Sequence, residues 1–196
     1  TTSCRVVYGE ADEIPGLIVD KFNDYLSIQT LTYGIEQYKD IIVNILDEVI
    51  GPAGIYERND STVRELEGLA QKKGFLKGIF EPYTIIQENG IKMYVDIENG
   101  QKTGYFLDQR ENRLAIRDIV KDSTVLDCFC HTGSFALHAA YFGAKHVTAV
   151  DISEHAIETA KKNVALNHME GKIDFVCANA FDLLREYQME GRQFDV

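Results

Sequence analysis

Apolar residues recur in three ways along this chain, and the changes between them mark its elements. Strand-length apolar stretches at 5–8, 17–22 and 25–31 are separated by the turn-rich run from Gly9 to Gly16 and by Asn23-Asp24. This pattern predicts hairpin-linked strands. The spacing then becomes helical: Ile35, Tyr38, Ile42, Ile45, Leu46 and Val49 predict a helix that Gly51-Pro52 stops. A short strand is expected at 54–58. Thr62 to Glu65 has the form of a capping box, which predicts a second helix to about Gln71. Residues 83–88 and 91–97 enclose Asn89-Gly90, a strong hairpin signal. The first half is therefore mixed α+β, and the Asn99-Gly100 turn places a domain boundary there, with domains 1–98 and 99–196.

The second half alternates strand and helix. Asp108 is positioned to cap a helix running to Val120. Strands at 124–129, 146–150 and 173–177 are followed by helices at 134–142, 153–167 and 180–187, with Ser153 as the cap of the longest. Phe194-Asp195-Val196 looks like the opening of a fourth strand, so the chain reads as a piece of a larger protein. The expected fold class is α/β: the first half of a Rossmann-like domain, preceded by a smaller α+β domain.

The chemistry is concentrated after the first of these later strands. Val125-Leu126-Asp127-Cys128-Phe129-Cys130-His131-Thr132-Gly133-Ser134-Phe135 is a buried strand, a tight turn and a helix start, and Asp151 closes the next strand. Strand, glycine turn, helix, strand and acid build a nucleoside site, with the second acid on the ribose hydroxyls. A pyrophosphate wants several glycines and no nearby carboxylate. This turn has one glycine, and Asp127 would repel a phosphate while suiting a cation. S-adenosylmethionine, with a sulfonium, an ammonium and no phosphate, fits.

Composition limits the alternatives. With 31 acidic and 20 basic residues the net charge is −11, which on its own argues against broad contact with phosphates. No apolar run reaches membrane-spanning length and no signal-peptide layout is present, so a cytoplasmic location without membrane contact is expected. Cys4, Cys128, Cys130 and Cys177 form no C-x-x-C pair, and read as free, buried thiols in a reducing compartment. The histidines lack zinc spacing, and no metal is expected. Arg58 and Arg64 flank a polar turn and could meet phosphate or form surface ion pairs.

Lys102-Thr103-Gly104-Tyr105-Phe106-Leu107-Asp108-Gln109-Arg110, followed by Leu126 to Phe135, resembles the class I methyltransferases of the large-subunit ribosomal RNA cytosine-C5 type. Gly9 to Asp20 resembles the opening of that family's central domain. The resemblance covers essentially the whole chain. It implies an intact protein with an RNA-binding PUA domain, a central α+β domain and a methyltransferase domain. This chain would hold the central domain and half of the last. The family's Asp-Pro-Pro motif and catalytic cysteine are expected beyond Val196, so the catalytic group is unknown within this chain and the fragment is expected to be inactive. The implied partner is large-subunit ribosomal RNA, with a homodimer allowed.

The resemblance and the residues together assign cofactor roles. Asp127 pairs with the donor's ammonium, or else only orients the turn. Gly133 shapes the turn, and Thr132 with nearby amides bonds the amino-acid end. Asp151 accepts the ribose hydroxyls and Ile152 packs on adenine. Asn179, where the family more often has an acid, accepts from the adenine amine beside Ala180. Gln109 and Arg110 close over the methionine, with a structural ion pair the even alternative for Arg110. Phe129, Phe135 and Phe181 are expected in the core. The implied reaction adds a thiolate at C6 of cytosine so that C5 can attack the methyl. Cys128 and Cys130 read as core thiols rather than that nucleophile. The rival readings are a methyltransferase of this fold acting on another RNA position or a small molecule, a non-catalytic nucleoside- or RNA-binding scaffold, and a dehydrogenase.

Overall fold

A computed structural model describes residues 2–196. They form two compact units: residues up to Gln87 with Val95–Leu107, and Glu88–Tyr94 with Asp108–Val196.

The first unit is built on a five-stranded sheet with spatial order β1 (Ser3–Tyr8), β2 (Leu17–Phe22), β3 (Tyr25–Thr30), β4 (Gly54–Asn59) and β5 (Lys72–Lys77). Successive strands are antiparallel except β3 and β4, which are parallel. The crossover between those two carries helices α1 (Tyr33–Gln37) and α2 (Lys39–Ile50). Asn23 supplies the left-handed residue (φ 54°) that lets Phe22 face Tyr25 across a tight turn. Alternation along the strands gathers Leu17, Val19, Leu26, Ile28 and Ile55 on one face, where they meet Leu46 of α2.

The structure departs from the sequence pattern at both early helices. The helix breaks at Tyr38, so one periodicity does not run through α1 and α2. The inward face is Ile35, Ile42, Val43, Leu46 and Ile50, while Tyr38, Ile45 and Val49 face outward. The Thr62 capping box yields only α3 (Val63–Leu66), with no side-chain cap, and left-handed Gly68 follows (φ 72°). Arg64 reaches back instead, donating to the carbonyls of Ala70 and Thr30. The next residues pair as β5, an edge strand whose lysines suit an unpaired edge but hid it from a hydrophobic reading.

Beneath the sheet ends lies a charged core. Buried Lys39 donates to Glu57 Oε1 at 2.7 Å and to Glu36 Oε1 at 2.6 Å, and Arg64 reaches Glu36 at 3.0 Å. Burial pushes the Glu36 carboxyl up, but the hydrogen bonds from Lys39, Thr30 and Arg64 outweigh it and hold the group at about 2.

The division between the units does not fall at residue 98. Val95–Leu107 stays with the five-stranded sheet because the Arg58 guanidinium donates to the carbonyls of Ile97 and Gly100, both at 2.7 Å. The Thr103 hydroxyl likewise donates to buried Asp20 at 2.5 Å. The hairpin of β6 (Tyr83–Glu88) and β7 (Ile91–Asp96) turns through Asn89 and Gly90, both at positive φ, and its tip, Glu88–Tyr94, belongs to the second unit.

The second unit has a parallel sheet in the order β10 (Ile173–Cys177), β9 (His146–Asp151) and β8 (Thr124–Cys128). The crossovers are α6 (Ser134–Tyr141) and α7 (Glu154–Leu166), and α8 (Ala180–Met189) follows β10. The α/β Rossmann-like class expected from the alternation is the class observed. Along the edge of β8 that β9 leaves free, Leu126 N–H donates to the Val196 carbonyl and Asp195 N–H to the Thr124 carbonyl, both at 2.9 Å. The helix expected from Asp108 to Val120 is divided. Asp108 lies in a 3₁₀ turn (Leu107–Gln109), and α4 (Arg110–Ala115) and α5 (Arg117–Val120) meet at Ile116, where an i+3 bond from Ile119 tightens the backbone. No helix among the described residues is long and apolar enough to cross a membrane.

Arg113 of α4 ties the hairpin tip to this unit. Its guanidinium donates to both oxygens of Glu88, at 2.6 and 3.0 Å, and both side chains are fully buried. His138 of α6 adjoins them, 3.2 Å from the Asn89 amide, and burial pulls its ring below the usual histidine range. Removing one partner of such a pair strands a buried charge. Arg113→Ala is expected to lower the unfolding free energy by roughly 3–5 kcal/mol in urea melts. A loss near that of a surface substitution would show that Glu88 finds another partner.

Candidate functional site

The carboxyl ends of β8 and β9 form one edge of the parallel sheet, and each presents a carboxylate. Asp127 Oδ2 accepts the Ala136 N–H at 3.0 Å, one of the first-turn donors of α6 that has no partner within its helix. Asp151 Oδ2 accepts the His131 N–H at 2.8 Å, and its Oδ1 accepts the Ser153 N–H at 2.9 Å. The two acids therefore grip the turn between β8 and α6 from both sides. Burial, and behind it the neighbouring Asp151 charge, pushes the Asp127 carboxyl up to about 7, although the Ala136 bond pulls the other way. A carboxylate with so little compensation is a place for a cation.

The turn is strained as well as gripped. Phe129 (φ 62°), His131 (φ 49°) and Gly133 (φ 79°) all lie in the left-handed region. Only the third is a glycine, and two side-chain-bearing residues held there mark a turn that the surrounding bonds over-determine. A Cβ on Gly133 would sit 3.1 Å from the Ala160 Cβ of α7, so this turn packs closely against α7 and a side chain here would press on its neighbour. Asn163 of α7 also donates to the Thr132 carbonyl at 3.0 Å.

The other expected site residues take definite places. Ile152 follows Asp151 and is 72% exposed, an apolar surface beside the acid. Asn179 caps α8, its Oδ1 accepting the Phe181 N–H at 2.9 Å, and Ala180 is buried behind it. The bond from Ala178 N–H to the Asp151 carbonyl holds this segment against the end of β9. Gln109 and Arg110 make local contacts: Gln109 accepts from Asn112 at 2.9 Å, and Arg110 lies 3.8 Å from Glu111.

Two aromatics expected in the core are not there. Phe129 and Phe181 are 61% and 64% exposed, with ring centroids 5.6 Å apart. Both follow strand ends, Phe129 in the turn after β8 and Phe181 in the first turn after β10. That position was the available signal, since ligand crevices of open sheets lie beyond the strand carboxyl ends. Phe135 is half-buried, with Arg113 over its ring.

The thiols also differ from expectation. All four are free, but only Cys130 is buried; Cys128 is half-buried, and Cys4 and Cys177 are exposed. Cys4 lies on edge strand β1, and Cys177 ends edge strand β10, where side chains on one face meet solvent. Burial, reinforced by the Asp127 charge, raises the Cys130 and Cys128 thiols above their ordinary range. The shift lowers the thiolate fraction of both, which works against a nucleophilic role. Burial pulls the His131 ring below the usual histidine range.

Together these groups place two carboxylates and three exposed apolar side chains, Phe129, Ile152 and Phe181, at the carboxyl ends of the parallel strands. Comparisons with known proteins agree with that chemistry. The ribosomal RNA large subunit methyltransferase I of Aliivibrio fischeri is 45% identical over 100% of this chain and 50% of its own length. This chain thus spans about half the length of the curated relatives it matches. A protein designated a methyltransferase and solved with S-adenosylhomocysteine superposes with TM-score 0.86 at 26% identity, over 99% of this chain and 50% of that one. The tRNA m1G37 methyltransferase of M. jannaschii superposes with TM-score 0.67 at 29% identity, over 86% of this chain and 51% of that one. The family model of the TRM5/TYW2 methyltransferase domain matches residues 84–191, more than half of the sequence, and the chain belongs to that family.

Proposed function

We propose that this chain forms the S-adenosylmethionine site of an RNA methyltransferase that modifies C5 of a cytosine in large-subunit ribosomal RNA. The observation that carries the reading is the pair of carboxylates, Asp127 and Asp151, on adjacent parallel strands around a one-glycine turn. The donor set fits the cofactor: a partly buried acid short of positive charge, a second acid with lone pairs left for hydroxyls, and exposed Ile152, Phe129 and Phe181 for a purine. Bound there, the cofactor would supply an electrophilic methyl group. Asp127 would hold its ammonium, Asp151 its ribose, and Thr132 and Gly133 the path of its methionine part. Asn179 keeps one lone pair for an adenine amine while capping α8. Gln109 and Arg110 would approach the methionine only by turning away from their local partners.

The 45% likeness to a ribosomal RNA large subunit methyltransferase supports the RNA class over a small molecule. The likeness to a tRNA guanine methyltransferase favours a second reading, the same cofactor used on another RNA. For the cytosine reaction, burial and the Asp127 charge raise the Cys128 and Cys130 thiols, which argues against either as the attacking group. The chain alone is therefore expected to bind the cofactor without turnover.

Two measurements test the site. In calorimetry, Asp151→Ala is expected to weaken S-adenosylhomocysteine binding by roughly 1–3 kcal/mol. Unchanged affinity would remove Asp151 from the ribose contact. The second is pH dependence. The folded chain holds the Asp127 proton up to about 7, above the ordinary carboxylate value, so its contribution to ligand-free stability is full at acid pH and lost as pH rises through 7. Binding an ammonium has the opposite sign, since it needs the ionised form. Affinity for S-adenosylhomocysteine is expected to fall between about pH 8 and about pH 6, approaching tenfold per unit below the carboxyl's midpoint. Asp127→Asn should bind more weakly at the upper end and lose this slope. A slope that survives the substitution would place the titrating group elsewhere.

A further inference from the structure

Asn163 is fully buried in α7, where its short polar side chain favours neither the helix nor an apolar contact. Its amide instead meets two pieces of backbone outside the helix. Nδ2 donates to the Thr132 carbonyl at 3.0 Å, and Oδ1 accepts the Tyr94 N–H of β7 at 2.8 Å. One helical turn on, Asn167 accepts the Lys92 N–H at 2.8 Å and donates to the Lys92 carbonyl at 2.6 Å. It also donates to the Asn163 carbonyl at 2.7 Å. Two asparagines at i and i+4 thus bond the edge of β7 that β6 leaves free. Asn163 does one thing more, since it reaches the turn between β8 and α6.

The bond falls on the peptide that decides the shape of that turn. Asn163 holds the carbonyl of the Thr132–Gly133 peptide, and the N–H of the same peptide donates to the Cys130 carbonyl at 2.8 Å. Glycine takes either sign of φ at little cost, so Gly133 does not itself choose between this peptide orientation and the flipped one. The two bonds choose, and they keep φ at 79°. A flip would break both. The Gly133 carbonyl then accepts the Leu137 N–H at 2.9 Å, at the start of α6. The N–H just before it, on Ala136, is the one that Asp127 accepts. The setting of one peptide therefore passes to the first turn of α6, and from there to the carboxylate.

We infer that Asn163 is a positioning residue for the methyl-donor site, locking the Thr132–Gly133 peptide so that the turn keeps the form that receives the cofactor. It acts through backbone and needs no contact with the ligand. The inference rests on the cofactor reading above and deepens it, by naming a side chain behind the turn on which the turn's shape depends.

The test uses the full chain, with calorimetry of S-adenosylhomocysteine binding and amide hydrogen exchange followed by NMR. Asn163→Ala removes both side-chain bonds. Asn163→Asp keeps the size and the acceptor for Tyr94 but sets a carboxyl group against the Thr132 carbonyl. Asn167→Ala removes the bonds to Lys92 and leaves the bond to Thr132. Both Asn163 variants are expected to bind roughly tenfold more weakly. Their Gly133 and Ala136 amide protons are expected to exchange faster than the thermal melt of each variant accounts for. Asn167→Ala is expected to lower the melt while leaving affinity and those two protons as they were. Unchanged affinity in a folded Asn163 variant, or an equal loss in Asn167→Ala, makes Asn163 a packing residue and overturns the inference. A further arm needs no variant. In the unaltered chain the Asn163 side-chain amide protons are expected to shift and to exchange more slowly on saturation with S-adenosylhomocysteine, and no response of either kind overturns the inference too. Absence of binding by the unaltered chain overturns the cofactor reading itself, and the inference with it.

Discussion

Two carboxylates on neighbouring parallel strands hold one turn, and the candidate site depends on that grip. A strand-to-helix turn leaves amide N–H groups without partners, and here Asp127 and Asp151 take the donors of Ala136, His131 and Ser153. The bonds fix a backbone with three left-handed residues in five positions, which would otherwise relax. They also bring like charges together in a partly desolvated place. The structure resolves the conflict by letting Asp127 keep its proton near neutrality. A cationic ligand would resolve it differently, by supplying the missing charge. The features that shape the turn therefore also select what binds there.

The first unit solves a related problem with internal cations. Glu57, Glu36 and Asp20 are withdrawn from water, and each has a lysine or arginine in contact. Such pairs add little net stability over an apolar core, but they fix geometry, because each partner is costly to misplace. Arg58 shows the use of this. By bonding the carbonyls of Ile97 and Gly100 it anchors a segment that the Asn99-Gly100 turn was expected to divide between the two domains. The polar face of the sheet is thereby covered by chain that carries Thr103 and Lys102.

Much of the architecture was legible because it depends on local rules. The hairpins at Asn23 and Asn89, the Ser153 cap and the alternation of strand and helix from 124 onward follow from turn chemistry and periodicity, and each is present. What was hidden depends on distant partners. β5 is lysine-rich and becomes a strand only because β4 offers its edge. The second early helix stops short because Arg64 is drawn to Thr30 and Ala70 rather than left in a helical surface. In the site, the acid at the end of each strand could be placed from sequence, since strand ends and glycine turns are local signals. The outward positions of Phe129 and Phe181 could not be read from residue type, because aromatic character alone favours burial.

Net charge was the least informative number in the sequence. A value of −11 describes the field far from the protein, where screening leaves little of it. Near the surface the sign is set within a few ångströms. There the same chain gathers two acids at the ends of β8 and β9, and in the first unit sets a lysine or arginine against each buried acid.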